Sequence, residues 1–473
     1  MYMSIALHLI IGVHGAMAAT RCYDNLGCYD SGTLHALPQD PGHIRTQFQV
    51  SCTNSTNYAT VNATDNPDTM KRLLEASCFQ VYRFTKFVIH GFNDDPGSDW
   101  LHRVRDGLLA KGDYNVFILD WHHGDRFPYE QAVANSYLVA RQLAMFLRHL
   151  ELVHGLAPPL MHLIGHSLGA QIAGNTGKAL APTRVARITG LDPAEPHFDT
   201  VDDSARLDST DALFVDVIHT DGATFTGTQG YGSLRPQGHA DFYPNGGQKQ
   251  PGCVSSDLSG FLPGLAWDKD IACSHARSYD LFIQSLSPSS CQLEAYRCTS
   301  WEEYDAGNCT SCPANGCLPM GIGAAPPSDA TGQYFLSTGS RAPFCGQTYS
   351  VQVVLSRSEA HAYGRLFLAL VDARGSSGSV DFSRSNNHYH SGQLERHLVT
   401  VTESLGELSQ VMLLFNKGTG LSSLGTSDYL SVEKITVSAL NNATRSTFCS
   451  TSPGLVKSGS SLNTFSLQTC SLV

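Results

Sequence analysis

From Val81 to His219 the chain alternates short apolar runs with stretches of helical period, and this alternation leaves few folds open to it. Residues 81–90 (VYRFTKFVIH) and 115–120 (NVFILD) read as strands, with a helical stretch at 99–111 between them. Residues 132–150 place apolar side chains at helical spacing, 160–164 read as a strand and 170–181 as a helix, and 184–191 and 213–219 as further strands. Each helix returns the chain to the same sheet edge, so successive strands pair in parallel. The expectation is a mostly parallel sheet with helices on both faces.

Within this frame, residues 163–171 read LIGHSLGAQ, with Ser167 between Gly165 and Gly169 where a strand gives way to a helix. With 43 glycines in 473 residues, G-x-S-x-G by itself is a weak signal,. Its place between strand and helix is what gives it weight. Gly169, Ala170 and Gly174 are expected to let the helix sit close to the preceding strand. A serine there lifts its hydroxyl above the carboxyl edge of the sheet, where open α/β sheets bind ligands. His166 is expected to be a neighbour without a catalytic role.

A serine hydroxyl becomes nucleophilic when a histidine takes its proton and an acid holds that histidine. The order along such a chain is serine, acid, histidine. Asp192 in ITGLDPAEP ends the next strand, beside the elbow. His197, His219, His239 and His275 are the candidate bases. His219 closes a strand, and His275 follows Cys273 in a cysteine-anchored loop ahead of a helical run. Spacing leaves that choice open. The oxyanion needs two backbone N–H groups. Leu168, after the serine, offers one, and Phe92 in VIHGFND, after a strong strand, offers the other.

A chain of 473 residues suggests two or three domains,. A formal net charge of −11 without a run of Lys or Arg makes nucleic acid, heparin-like polymers and anionic membranes poor electrostatic partners,. Residues 1–18 form one apolar stretch with Ala16 and Ala18 at a suitable cleavage site, which reads as a signal peptide and implies a secreted, extracellular protein,. The 14 cysteines agree, in close-spaced pairs such as Cys22/Cys28, Cys253/Cys273, Cys298/Cys309 and Cys312/Cys317,. Cys309-Thr-Ser-Cys312 lacks the second pair a zinc finger needs, so disulfides are expected there. Asn54, Asn62 and Asn442 head glycosylation sequons, with Asn308 a weaker fourth,. Residues 320–330 read as a linker. Beyond about residue 345, alternating strands without a good helix suggest a β-sandwich.

The stretches HGF, GHSLGAQIAG, TGLDPAEP, RLDSTDALFVDVIHTDG, DFYPNGG and CSHARSYDLF together resemble the pancreatic/lipoprotein lipase family, from about Arg21 to Cys317. The resemblance implies an α/β hydrolase at 19–344, after the signal peptide, followed by a PLAT-like β-sandwich at 345–473. It implies Ser167, Asp192 and His275 as the triad, and Phe92 and Leu168 as the oxyanion positions. The acidic run Arg206-Leu-Asp208-Ser-Thr-Asp211 would otherwise read as a solvated loop. The resemblance makes it a structural calcium site, with the carboxylates of Asp208 and Asp211 and the backbone carbonyls of Asp203 and Arg206 as hard oxygen ligands. No organic cofactor is implied. Residues 253–273 resemble the family's lid, with Leu258, Phe261, Leu262, Leu265 and Trp267 set against Asp257, Asp268, Lys269 and Asp270.

The branches of the family mix in this chain. RCYDNLGCYD and the Cys22/Cys28 pair resemble the pancreatic branch, and Cys52/Cys78 the lipoprotein lipase branch. Cys291 and Cys345 resemble the phospholipase branch, with their pairing left open. The lid is shorter than in triglyceride lipases and longer than in the phospholipases, while the 220–240 loop is long, as in the triglyceride enzymes. The implied activity is a serine carboxylic-ester hydrolase on glycerolipids, triacylglycerol before sn-1 phospholipid. Lipid droplets, micelles or membrane surfaces would be its substrate interface, with a colipase-like protein as a partner at the C-terminal domain and no heparin signature. Some relatives are lipid-binding yolk proteins that have lost the serine. This chain keeps every catalytic position.

Overall fold

The structure is a computed structural model that describes residues 19–467, except 35, 54, 56–57, 223–229, 254–271, 288–290, 313–316, 327–330, 358–360, 384–385, 404, 441–444 and 460–462. The expected signal peptide and nearly all of the expected lid lie outside the described residues, as do the sequons at Asn54 and Asn442. Asn62 donates its side-chain amide to the Asp65 carboxylate at 3.2 Å.

An 11-stranded sheet organises the first part of the chain. Its strands in chain order are β1 (Gln47–Cys52), β2 (Ala59–Asn62), β3 (Phe84–Ile89), β4 (Tyr114–Asp120), β5 (Met161–His166), β6 (Arg187–Leu191), β7 (Phe214–Ile218), β8 (Ala240–Pro244), β9 (Glu294–Arg297), β10 (Cys317–Pro319) and β11 (Gly332–Leu336). Their spatial order is β10-β9-β11-β8-β7-β6-β5-β3-β4-β1-β2. Pairing is parallel from β4 through β3, β5, β6, β7 and β8 to β11, and antiparallel at both margins. The mostly parallel sheet expected from the alternation is therefore present. β11 was not foreseen: it lies past the expected linker and returns to pair with β8.

Side chains of one strand alternate between two apolar cores, as a sheet buried on both faces requires. Phe87 and Ile89 join one cluster and Val88 the other; Leu163 and Ile164 divide in the same way. Helices α2 (Tyr129–His154) and α3 (Leu168–Leu180) pack into the first core, and α1 (Asp99–Lys111) and α4 (Cys273–Leu286) into the second.

Beyond residue 345 the chain forms strands that pair antiparallel, including Gln347–Leu355, Ala362–Asp372, Leu408–Lys417 and Tyr429–Ala439. They enclose one apolar core around Val351, Leu366, Val411, Ile435 and Phe448, the β-sandwich of the sequence reading. Asp305 links the two parts, accepting from the Leu398 N–H at 3.1 Å and contacting His397 Nδ1 at 2.5 Å.

Disulfides join Cys22–Cys28, Cys52–Cys78, Cys253–Cys273, Cys291–Cys345, Cys298–Cys309 and Cys312–Cys317. Cys309 and Cys312 thus belong to different bridges, which removes the zinc alternative. None of the described cysteines is free.

Candidate active site

Ser167 stands between β5 and α3 with φ 58° and ψ −122°, a conformation that L-residues rarely adopt,. Its neighbours explain how that is tolerated. A Cβ on Gly165 would fall 2.2 Å from the Gly169 carbonyl oxygen, and one on Gly169 would fall 2.2 Å from that of Ile89. Both positions exclude any side chain, so strand, turn and helix close tightly on each other. The Ser167 N–H donates to Leu191 O at 3.0 Å and its carbonyl accepts from the Ala194 N–H at 3.2 Å, tying the turn to the end of β6. Gly174 does not approach the strand as expected. It packs on Leu207, where a Cβ would lie 2.6 Å from the Leu207 Cα.

Asp192 follows β6, fully buried and with φ 46°. Its Oδ2 accepts from His275 Nδ1 at 2.6 Å, and its Oδ1 accepts from the Thr220 N–H at 2.7 Å and the Asp221 N–H at 3.2 Å. His275 lies inside the first turn of α4, not in a loop ahead of it. Burial drives its imidazole far below the ordinary value, so it stands neutral,.

The other three candidate bases lie elsewhere. His219 is enclosed by Ser233 O at 2.6 Å and Asp241 Oδ1 at 2.9 Å, and stacks on Tyr243. His239 Nδ1 accepts from the Val215 N–H at 3.0 Å. His197 stacks on Tyr129. Among the described residues, these contacts bring only His275 of the four to Asp192. His166 packs its ring 4.5 Å from that of His275 and edge-on to Trp100 and Tyr279, as a wall for the imidazole.

Leu168 opens α3, and an N–H in the first helical turn has no acceptor within the helix,. The loop carrying Phe92 reaches Ser167 from the other side: a Cβ on Gly91 would lie 2.7 Å from the Ser167 Cβ. Phe92 packs edge-on to Tyr129, and Asp125 holds the next turn, accepting from the Asn93 N–H through its carbonyl and from the Asp94 N–H through Oδ2, both at 3.0 Å.

Two buried groups went unnoticed in the sequence. His90, at the start of HGF, is fully buried, with Nδ1 3.3 Å from Asp125 and Nε2 3.7 Å from Asp120. Burial opposes its charge, as does the Trp121 N–H that donates to Nε2 at 3.2 Å, while the two carboxylates push the imidazole upward, to about 10. Asp221 brings a second carboxylate within 4.8 Å of Asp192 and His275. Burial and the charge of Asp192 push Asp221 upward. Two buried carboxylates this close do not both ionise readily. Burial raises Asp192 too, to about 7; among the described residues Asp192 accepts three hydrogen bonds and Asp221 one, from the Tyr231 N–H, which favours the charge on Asp192. Only the folded chain places these groups together.

The acidic segment forms two short 3-10 turns, Asp203–Ala205 and Ser209–Asp211. Asp208 Oδ1 accepts from the Thr210 N–H at 2.8 Å and from its hydroxyl at 2.7 Å; Asp211 Oδ2 accepts from the Asp208 N–H at 2.8 Å. Arg206 pairs with Asp203. Asp211 is buried against Lys178, its Oδ1 2.5 Å from Nζ, and burial still raises it to about 6. An acidic group only partly compensated, among hard oxygen donors, fits a further cation of the calcium type.

The family model described as Lipase matches residues 23–344. Pancreatic lipase-related protein 2 of Myocastor coypus is 37% identical over 91% of this chain and 92% of its own length. Inactive pancreatic lipase-related protein 1 of Canis lupus familiaris is 34% identical over 95% of this chain and 96% of its own. Pancreatic triacylglycerol lipase of Homo sapiens is 33% identical over 85% and 88%.

Proposed function

The chain belongs to the lipase family, and we propose that it is a secreted serine hydrolase that cleaves acyl esters of glycerolipids at a lipid–water interface. The buried contact of His275 Nδ1 with Asp192 Oδ2 at 2.6 Å, beside a serine held at positive φ, carries this reading.

Ser167 Oγ attacks the ester carbonyl while His275 Nε2 takes its proton. Asp192 keeps the other ring nitrogen protonated and stabilises the imidazolium that forms. The N–H groups of Leu168 and Phe92 meet the oxyanion. His275 then protonates the departing glycerol oxygen, which leaves an acyl-enzyme on Ser167. Water, activated by the same imidazole, releases the fatty acid.

Triacylglycerol is the favoured substrate, on the strength of the long 220–240 loop. The sn-1 ester of a phospholipid is the second reading, favoured by the short 253–273 segment and by the Cys291–Cys345 bridge. The Cys253–Cys273 bridge clips the ends of the proposed lid, with Cα atoms 5.5 Å apart. Calcium would be held by the carboxylates of Asp208 and Asp211 with the carbonyls of Asp203 and Arg206, bracing the chain between Asp192 and β7. A colipase-like partner would dock on the β-sandwich.

One relative is named inactive, so turnover itself is the first question. Fatty-acid release from emulsified triacylglycerol and from phosphatidylcholine vesicles, with Ser167→Ala as the blank, tests it. Release above the blank from either substrate supports the hydrolase. Release equal to the blank from both moves the chain to the lipid-binding reading.

A further inference from the structure

The Phe92 N–H belongs to the peptide bond whose carbonyl is Gly91 O. A trans peptide is planar and sets its N–H opposite its carbonyl, so whatever fixes Gly91 O also aims the Phe92 N–H,. His90 Nδ1 lies 3.1 Å from Gly91 O and 3.3 Å from Asp125 Oδ2. Both are acceptors, so Nδ1 carries a proton and directs it at them. The Trp121 indole Nε1 donates to His90 O at 3.0 Å and holds the peptide before Gly91. Asp125 also holds the chain after Phe92. It accepts from the Asn93 N–H through its carbonyl and from the Asp94 N–H through Oδ2, both at 3.0 Å. Arg126 beside it donates from Nη1 to Asn93 Oδ1 at 2.9 Å, and Asp94 Oδ2 accepts from Trp100 Nε1 at 2.8 Å. His90, Trp121 and Asp125 are fully buried.

We infer that Asp125, acting through His90, is a positioning residue that aims the Phe92 N–H at the oxyanion. The inference rests on the hydrolase reading above, with Phe92 as an oxyanion donor. A plain buried ion pair would account for the contact of His90 with Asp125. It would not account for the same Oδ2 taking an N–H of the loop, nor for Nδ1 facing the carbonyl of the very peptide that carries the donor. The carboxylate thus reaches both sides of Phe92, through the imidazole on one side and directly on the other. A donor set in advance by fixed neighbours needs no reorganisation as charge develops on the substrate oxygen.

Hydrolysis of a soluble p-nitrophenyl ester by the full-length protein, with inhibition by an alkyl trifluoromethyl ketone, tests this. Ser167 Oγ adds to the ketone carbon, its proton passes to His275, and the carbonyl oxygen becomes an oxyanion that needs the donors. The matching methyl ketone fills the same groove without adding readily. Asp125→Ala is expected to lower kcat by about 10²-fold at unchanged KM, the scale of a misplaced group. The trifluoromethyl ketone should weaken by the same factor and the methyl ketone should not. Asp125→Asn keeps an acceptor for the Asp94 N–H and should lose less. Arg126→Ala, at an exposed position, should show the same pattern more weakly, and it stands in for Asp125→Ala if that variant does not fold. Wild-type kcat in Asp125→Ala or its stand-in, or a loss shared equally by both ketones, overturns the inference and leaves the hydrolase reading intact. A wild type that neither hydrolyses the ester nor binds the trifluoromethyl ketone overturns both.

Discussion

Gly91 and Ser167 are in such close contact that a single added carbon would collide: a Cβ on Gly91 would lie 2.7 Å from the Ser167 Cβ and 3.2 Å from its Oγ. The loop of Phe92, the proposed oxyanion donor, and the turn of Ser167, the proposed nucleophile, are thus fitted together at a glycine. Gly91→Ala, which forces one of them away, is expected to lower kcat on a soluble ester by about 10²–10³, the effect of losing an oxyanion donor. Circular dichroism should be unchanged. Wild-type kcat in this variant would remove Phe92 from the oxyanion role.

Asp192 holds His275 through Nδ1. Asp192→Asn presents an amide that lets the ring adopt the wrong tautomer. A folded enzyme slowed by about three to four orders of magnitude is expected. A loss under about tenfold, measured by stopped assay at neutral pH, would assign the acid to Asp221 instead.

The imidazole of His90 is raised from 6.5 to about 10 by Asp120 and Asp125, against its burial. A group raised by folding stabilises fully below its unfolded value, and that contribution is lost as pH rises through the folded one. The melting temperature of the wild type should therefore fall between pH 6.5 and about 10. His90→Asn should start lower and show a flatter slope across that window. Parallel slopes would mean that His90 is neutral in the folded protein.

Calcium at Asp208 and Asp211 is expected to act on stability rather than on chemistry, because the segment lies off the path from Ser167 to His275. Chelation should lower the melting temperature by a few degrees, as loss of a ligand specific for the native state does. Asp208→Asn should remove the response. A melting temperature indifferent to calcium in the wild type would leave Lys178 as the sole counter-ion of Asp211.

Opening the Cys253–Cys273 bridge by a double serine substitution should free the segment between them. The ratio of activity on emulsion to activity on dissolved ester is expected to fall toward one. An unchanged ratio would exclude this segment as the lid.

The sequence by itself determined the parallel sheet, because period-2 and period-3.6 patterns alternate strongly between residues 81 and 219, and strands buried on both faces read as unbroken apolar runs,. It also placed Ser167 and Asp192 on one sheet edge, since both follow parallel strands that are direct neighbours. β8 and β11 were harder to read. They fall outside the strand–helix alternation of residues 81–219, and β11 lies beyond a linker-like stretch, paired with β8 across nearly a hundred residues. The choice of His275 among four histidines belonged to the tertiary structure. Local pattern says where a side chain can point but not which distant group it meets, and α4 had to pack against the sheet before its imidazole reached Asp192. The same holds for His90 between its two aspartates and for Asp221 beside Asp192. Each is ordinary in its own stretch of chain and acquires its chemistry from partners that strand pairing and core packing bring to it.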